Sequence, residues 1–336
     1  MTDRSDDSTD PPDDPIDADE GSSDPPDDPT DPGDGFVWSN TVDSRDLDET
    51  LGDPEKVDDG GDPEKVDDGG DPEKVDDGGK GETPLIAVAV AVALGLGGPL
   101  IALVGGLGVF ALDSVFEFGL ITRLLLTLFV GQYVAFAGFA VAYLAWRGFD
   151  RSGIVSYLGV RRPSLTELGI VIGGWVVILG SVLGISLLIQ LIGVETATNQ
   201  SAEVALANPV VIPLFIAASF LVIGPCEEIL YRGVVQGRLR ESMSAAPAIV
   251  IASAVFAFVH VMALTGGVTG RLTTVAILFF PSLVFGIVYE YTENIVVPSL
   301  LHGLHNAVIF TLLYVSVMYA DEFEELSEMS VILFGV

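Results

Sequence analysis

Three charges stand where the sequence otherwise reads as hydrocarbon. Pro225-Cys226-Glu227-Glu228-Ile229-Leu230-Tyr231-Arg232 follows an apolar run from Val210 to Gly224. An ionisable side chain inside a spanning helix is costly and marks a functional or paired group. If the stretch is helical, Glu228 and Arg232 sit at the i, i+4 pairing distance with the acid N-terminal to the base. Glu227 is rotated by about 100° and left over. A carboxylate withdrawn from water is a stronger base, which suits it to take a proton from water near neutral pH.

The chain holds three histidines, His260, His302 and His305, all downstream of Glu227 and all in apolar surroundings. Phe256 and His260 share a helix face, as do His302 and Asn306. Asn306 is costly in hydrocarbon unless it is paired. The chemistry that fits this set is attack of water on an amide. Glu227 takes the proton, His260 orients the water or shares the base role, and His302 with Asn306 donates to the developing oxyanion. Glu228, Arg232 and Phe256 support the set, and His305 is a neighbour with a structural role. The same Glu227, His260 and His302 are also a possible zinc set, with Asn306 or Glu228 behind them. The compact His-Glu-x-x-His arrangement is lacking, so no cofactor is required by the pattern. Two blander readings stand beside these: an interhelical polar network or ion path, and, for the lone Cys226, a small buried residue rather than a nucleophile.

Positioning these residues requires a membrane-embedded bundle. The pattern predicts an all-α, polytopic integral membrane fold with spans at Leu85–Leu112, Leu120–Trp146, Leu165–Val194, from Pro209 to about Gln236, Ala245–Ala263, Leu272–Tyr289 and Ile295–Ala320. Each approaches the ~20 residues needed to cross a bilayer. The result is seven spans, or eight if the last one breaks. Arg147, Arg151, Arg161 and Arg162 make the loop 147–164 the densest basic cluster, hence cytoplasmic by the positive-inside rule, which also places the acidic N-terminal tail in the cytoplasm. Glu195–Asn208 reads as an outer loop. At 1.5 Å per residue, Glu227 lies roughly 17 Å from the basic end at Arg238, and His302 about 11 Å from the start of its span. Both are submerged.

The first 84 residues differ in kind. They carry 31 acidic against 6 basic side chains, whereas residues 85–336 carry 16 against 9. So little apolar surface cannot offset the entropy of ordering, so this segment is expected to be a disordered tail. Three copies of Gly-Asp-Pro-Glu-Lys-Val-Asp-Asp-Gly at 52–60, 61–69 and 70–78 read as a duplicated acidic spacer (repeats 52–78). A period of nine with one Val per copy cannot stack a core. An excess of Asp with few Lys suits a protein bathed in high salt, because the salt screens the repulsion. Net acidity argues against nucleic acid as a partner. Membrane lipid and a membrane-associated protein or peptide are the expected partners. The organisation read is therefore tail 1–84, two leading spans and a basic loop 85–164, a core 165–320, and a short acidic and apolar end 321–336.

The three motifs, Glu227-Glu228 to Arg232, Phe256 to His260, and His302 to Asn306, resemble in order the signature of the CAAX-prenyl-endopeptidase and bacteriocin-processing (CPBP, or Abi) intramembrane proteases. The resemblance covers about residues 165–320, including the lead-in Tyr157-Leu158-Gly159-Val160-Arg161-Arg162. It implies an all-helical membrane core with a cavity open to the cytosol. It further implies that Glu227 and His260 activate water while His302 and Asn306 stabilise the oxyanion. Relatives carry a metalloprotease label, but this layout favours a glutamate-dependent mechanism without a catalytic metal.

Overall fold

The computed structural model describes residues 83–319. The repeats, nearly all of the acidic segment 1–84 and the end 321–336 lie outside the described residues, as does the expectation that the acidic segment is cytoplasmic. The described residues form one all-α bundle with seven helices long and apolar enough to cross a membrane: Pro84–Phe116, Leu120–Trp146, Leu165–Ile192, Pro209–Arg240, Ala245–Ala263, Val268–Thr292 and Val296–Met318. The last helix runs unbroken to Met318, so the count among the described residues is seven.

The distribution of polarity is inverted relative to a water-soluble bundle. Val104, Phe110, Val176, Leu187 and Leu221 are exposed along their helices, while Glu228 and Arg232 are fully buried. Side chains facing lipid gain by being apolar, whereas polar groups must find partners inside.

Seven crossings put the connections 147–164, 241–244 and 293–295 on one side, and contacts agree. Tyr157 and Arg147 both bond Glu241, Ile295 N–H donates to Leu158 O, and Arg161 bonds Glu167 and Thr292 O. On the opposite side Thr198–Asn199 pairs antiparallel with Leu264–Thr265. The arginine-rich end is the one the positive-inside rule assigns to the cytoplasm.

Two segments read as loops contain short helices. Arg151–Tyr157 is capped by Asp150, whose carboxylate accepts from Gly153 N–H; that bond and the one from Ser152 hold its carboxyl below the usual range. Gln200–Ala207 is capped by Asn199. Both are too short to show a hydrophobic repeat, so only their caps signal them. Gly159, at φ +63°, passes against Glu293 O so closely that a Cβ would sit 1.8 Å from it. Only glycine meets both demands.

Prolines inside two spans leave backbone acceptors open, and a tyrosine answers each. Pro99 has no N–H for Gly95 O, four residues back, and Tyr231 Oη donates to that oxygen at 3.1 Å. Pro225 likewise leaves Leu221 O, and Tyr133 Oη donates to it at 3.0 Å. A freed carbonyl in hydrocarbon needs such a donor. These two bonds tie the first and second spans to the fourth, the helix that carries Glu227.

Candidate active site

The helix carrying the acidic pair is not uniform. Ser219–Ile223 and Ile229–Gln236 wind as π-helix on either side of the α-helical Gly224–Glu228. In the second span Phe129–Gly138 is π-helical, and His260 stands where the fifth span tightens from α to 3₁₀. Such changes of winding re-aim side chains and recur at functional sites.

Glu228 is the hub of the buried pairs. Its Oε2 accepts from Arg232 Nε at 2.9 Å, and its Oε1 lies 2.9 Å from His302 Nδ1. Arg232 also donates to Ser282 Oγ at 2.9 Å and lies over the rings of Phe256 and Phe285, 5.0 and 5.8 Å from their centroids. Phe285 stacks on His302 at 4.8 Å, while Phe256 meets His302 edge-on at 5.8 Å and His260 at 4.6 Å. The i, i+4 ion pair and the shared face of Phe256 and His260 are thus present as the spacing indicated. Its link to His302 was not visible from spacing.

Glu227 is placed differently from its neighbour. Its Oε1 accepts from Gln132 Nε2 at 3.0 Å, whereas its Oε2 is buried with no hydrogen-bond partner. Facing Oε2 are His302 Nε2 at 3.9 Å and His260 Nε2 at 4.0 Å. The other nitrogen of each imidazole is committed: His260 Nδ1 to Phe256 O at 2.7 Å, His302 Nδ1 to Glu228. Carbonyl and carboxylate oxygens only accept, so both Nδ1 atoms carry hydrogen. In the neutral rings both Nε2 atoms then present lone pairs toward Glu227 Oε2. Three acceptors converge on a point that has no donor of its own.

Asn306 lies one turn beyond His302, half-buried, and makes no hydrogen bond to this cluster; His305 is half-buried as well. Cys226 is buried next to Glu227. At the start of the seventh span Asn294 is fully and Ile295 almost fully buried.

Close approach of the fourth and seventh spans brings the carboxylates to His302. A Cβ on Gly224 would stand 2.7 Å from Ser299 O, and one on Gly303 would stand 2.9 Å from Ser219 O. Glycine at both positions permits backbone contact. Gly303→Val is expected to cost about 1–3 kcal/mol by overpacking and to draw His302 away from Glu228. Melting in detergent measures it, with Gly180→Ala, where nothing lies within 4 Å of the added atom, as the near-neutral comparison.

Tetrahedral zinc with ligands at 2.0–2.1 Å needs them roughly 3.4 Å apart, and here the spacings from Glu227 Oε2 are 3.9 and 4.0 Å. Among the described residues no group of three or more His, Cys, Asp or Glu is arranged to hold a metal ion. The residues do not fit zinc as they stand.

Spacing did not reveal Gln132, Ser282 or Phe285. The only signal for Gln132 was a lone carboxamide in the otherwise apolar second span. Beside it, Tyr133 joins Leu125, Phe129, Leu214 and Leu221 in lining an apolar groove of about 400 Å³ between the second and fourth spans.

Fold and site define a class: a multi-pass membrane protein that gathers a carboxylate and two imidazoles around one buried point. Residues 209–308 match the family model described as type II CAAX prenyl endopeptidase Rce1-like. The match spans Glu227, Glu228, Arg232, Phe256, His260, His302 and Asn306. No curated protein and no solved structure matches the chain.

Proposed function

We propose that the protein is an intramembrane endopeptidase that hydrolyses a peptide bond of a membrane-associated or lipid-modified protein or peptide. The observation that carries this reading is the buried, unpartnered Oε2 of Glu227 facing two imidazole nitrogens. A water about 2.8 Å from each of two atoms set 4.0 Å apart subtends roughly 90° at its oxygen, an acceptable bonding geometry. It donates one hydrogen to Glu227 Oε2 and the other to one of the two facing imidazole nitrogens.

In this mechanism Glu227 Oε2 removes a proton from that water while His260 orients it. The oxygen adds to the substrate carbonyl carbon, and the carbonyl oxygen becomes an oxyanion. Asn306, one helical turn from His302, supplies an N–H donor to it. His302, held at Nδ1 by the carboxylate of Glu228 at 2.9 Å, faces the same point with Nε2 and shares in stabilising the oxyanion when it carries a hydrogen there. Glu227 then passes its proton to the leaving amine as the C–N bond breaks. Arg232 takes no part in the proton transfers; its bond to Glu228 Oε2 holds that side chain in place. The segments 85–164 and 165–320 work together, since the leading spans brace the helix of Glu227.

The test is incubation of purified protein in liposomes with a library of membrane-anchored peptides, lipidated and not, followed by mass spectrometry of the products. Cleavage that is lost in His260→Ala, with unchanged melting, supports the reading. A wild type that captures peptides intact and never cleaves them would make the site that of a non-catalytic membrane scaffold. Because the donors do not fit zinc, exhaustive treatment with a chelator is expected to leave the cleavage rate within about twofold; abolition with recovery on adding zinc counts against the metal-free route.

A further inference from the structure

The motifs that carry the family match leave one residue of the cluster unaccounted for. Gln132 belongs to the second span, outside the matched residues 209–308, yet it alone among the described residues hydrogen-bonds Glu227. A carboxamide buried only to stabilise helix packing should satisfy both of its ends. This one does not. Its Nε2 donates to Glu227 Oε1 at 3.0 Å, while its Oε1 is buried with no partner. Among the described residues the side chain hydrogen-bonds the carboxylate and nothing else.

The local backbone explains how it gets there. Gln132 and Tyr133 are consecutive, and both reach the fourth span, the first to Glu227 and the second to Leu221 O. They lie within the π-helical Phe129–Gly138, whose wider turn re-aims side chains relative to an α-helix. A Cβ on Gly138 would stand 2.8 Å from Tyr133 O, five residues back, so glycine there lets the wider turn close.

We infer that Gln132 is a positioning residue for the hydrolytic reaction: it pins one oxygen of Glu227 so that the other alone faces His260, His302 and the attacking water. A carboxylate with both oxygens free can rotate about its last side-chain bond and present either one. Pinned, it presents Oε2 at a fixed distance. A displacement of about 1 Å from reactive geometry can cost roughly 10²-fold in rate. The inference rests on the proposed role of Glu227 and assigns a working part to the leading spans, which the family match does not include.

The test compares kcat and KM of Gln132→Met and Tyr133→Phe with the wild type on whichever peptide the wild type cleaves. Gln132→Met keeps the side-chain length and removes the donor. It is expected to lower kcat about 10–100-fold, with KM within threefold and melting close to wild type. Tyr133→Phe removes the neighbouring interhelical bond and reports what loosening the two helices costs by itself; its kcat is expected to fall less than threefold. If Gln132→Met does not insert or fold, Gln132→Asn carries the same test, because it retains a polar amide but withdraws it by one methylene. A kcat within twofold of wild type in the folded variant overturns the inference, as does a loss no larger than that of Tyr133→Phe. A wild type without hydrolytic activity overturns the proposed function itself, so the two failures are told apart.

Discussion

Replacing Glu227 by glutamine is expected to abolish hydrolysis while leaving the protein folded. Glutamine keeps the shape of the side chain and keeps an oxygen for Gln132 Nε2, which donates at 3.0 Å in the native protein. It loses the basic Oε2 that faces His302 and His260 at 3.9 and 4.0 Å. Loss of a positioned general base costs about 10²–10⁴-fold in rate, and the reverse proton delivery to the leaving amine is lost with it. Stability should hold or rise slightly, since the substitution removes a buried charge whose outer oxygen has no partner. Single-turnover product formation by mass spectrometry and melting in the same detergent provide the two readings. Cleavage by Glu227→Gln at the wild-type rate would show that the reaction does not pass through this carboxylate.

Replacing Arg232 by methionine should produce the largest loss of stability in the described bundle. Arg232 and Glu228 both have zero exposure, and the guanidinium joins Glu228, Ser282, Phe256 and Phe285. Removing it leaves an ionised carboxylate in a low-dielectric interior with His302 as its remaining partner. Breaking a buried pair from one side typically costs 3–5 kcal/mol. Removing both charges is milder, because no unpaired ion remains. The ordering is therefore specific: Glu228→Gln/Arg232→Met should be more stable than Arg232→Met alone, although it lacks more native contacts. The double variant is not expected to turn over substrate, since His302 is no longer held by a carboxylate at Nδ1. A single variant as stable as the double would mean that the pair contributes little.

Local spacing made part of this legible. Glu228 and Arg232 are four apart in a helix, and four apart is contact distance whatever the surroundings. Phe256 and His260 obey the same rule, and their rings do meet. The spans were legible because hydrocarbon demands about 20 apolar residues in a row, and their ends moved by only a few residues in the structure. The last span did not break, because nothing between Val296 and Met318 interrupts its backbone bonding.

What spacing could not show was partnership between helices. Nothing in Gln132 itself points to Glu227, 95 residues on; the meeting depends on a π-helical turn and on how two spans cross. Nor could it show that Glu228 serves His302 as well as Arg232, since that bond needs the fourth and seventh spans to touch at Gly224 and Gly303.

The amino-acid sequence by itself determined a membrane bundle of seven or eight spans and the short list of polar residues inside it. Hydrophobic length and i, i+4 periodicity are properties of one helix at a time. Only the tertiary structure decided which oxygen of Glu227 stays free, which nitrogen of each histidine faces it, and that the second span contributes to the cluster. Those are relations between atoms on different helices, and they exist only once the helices have packed.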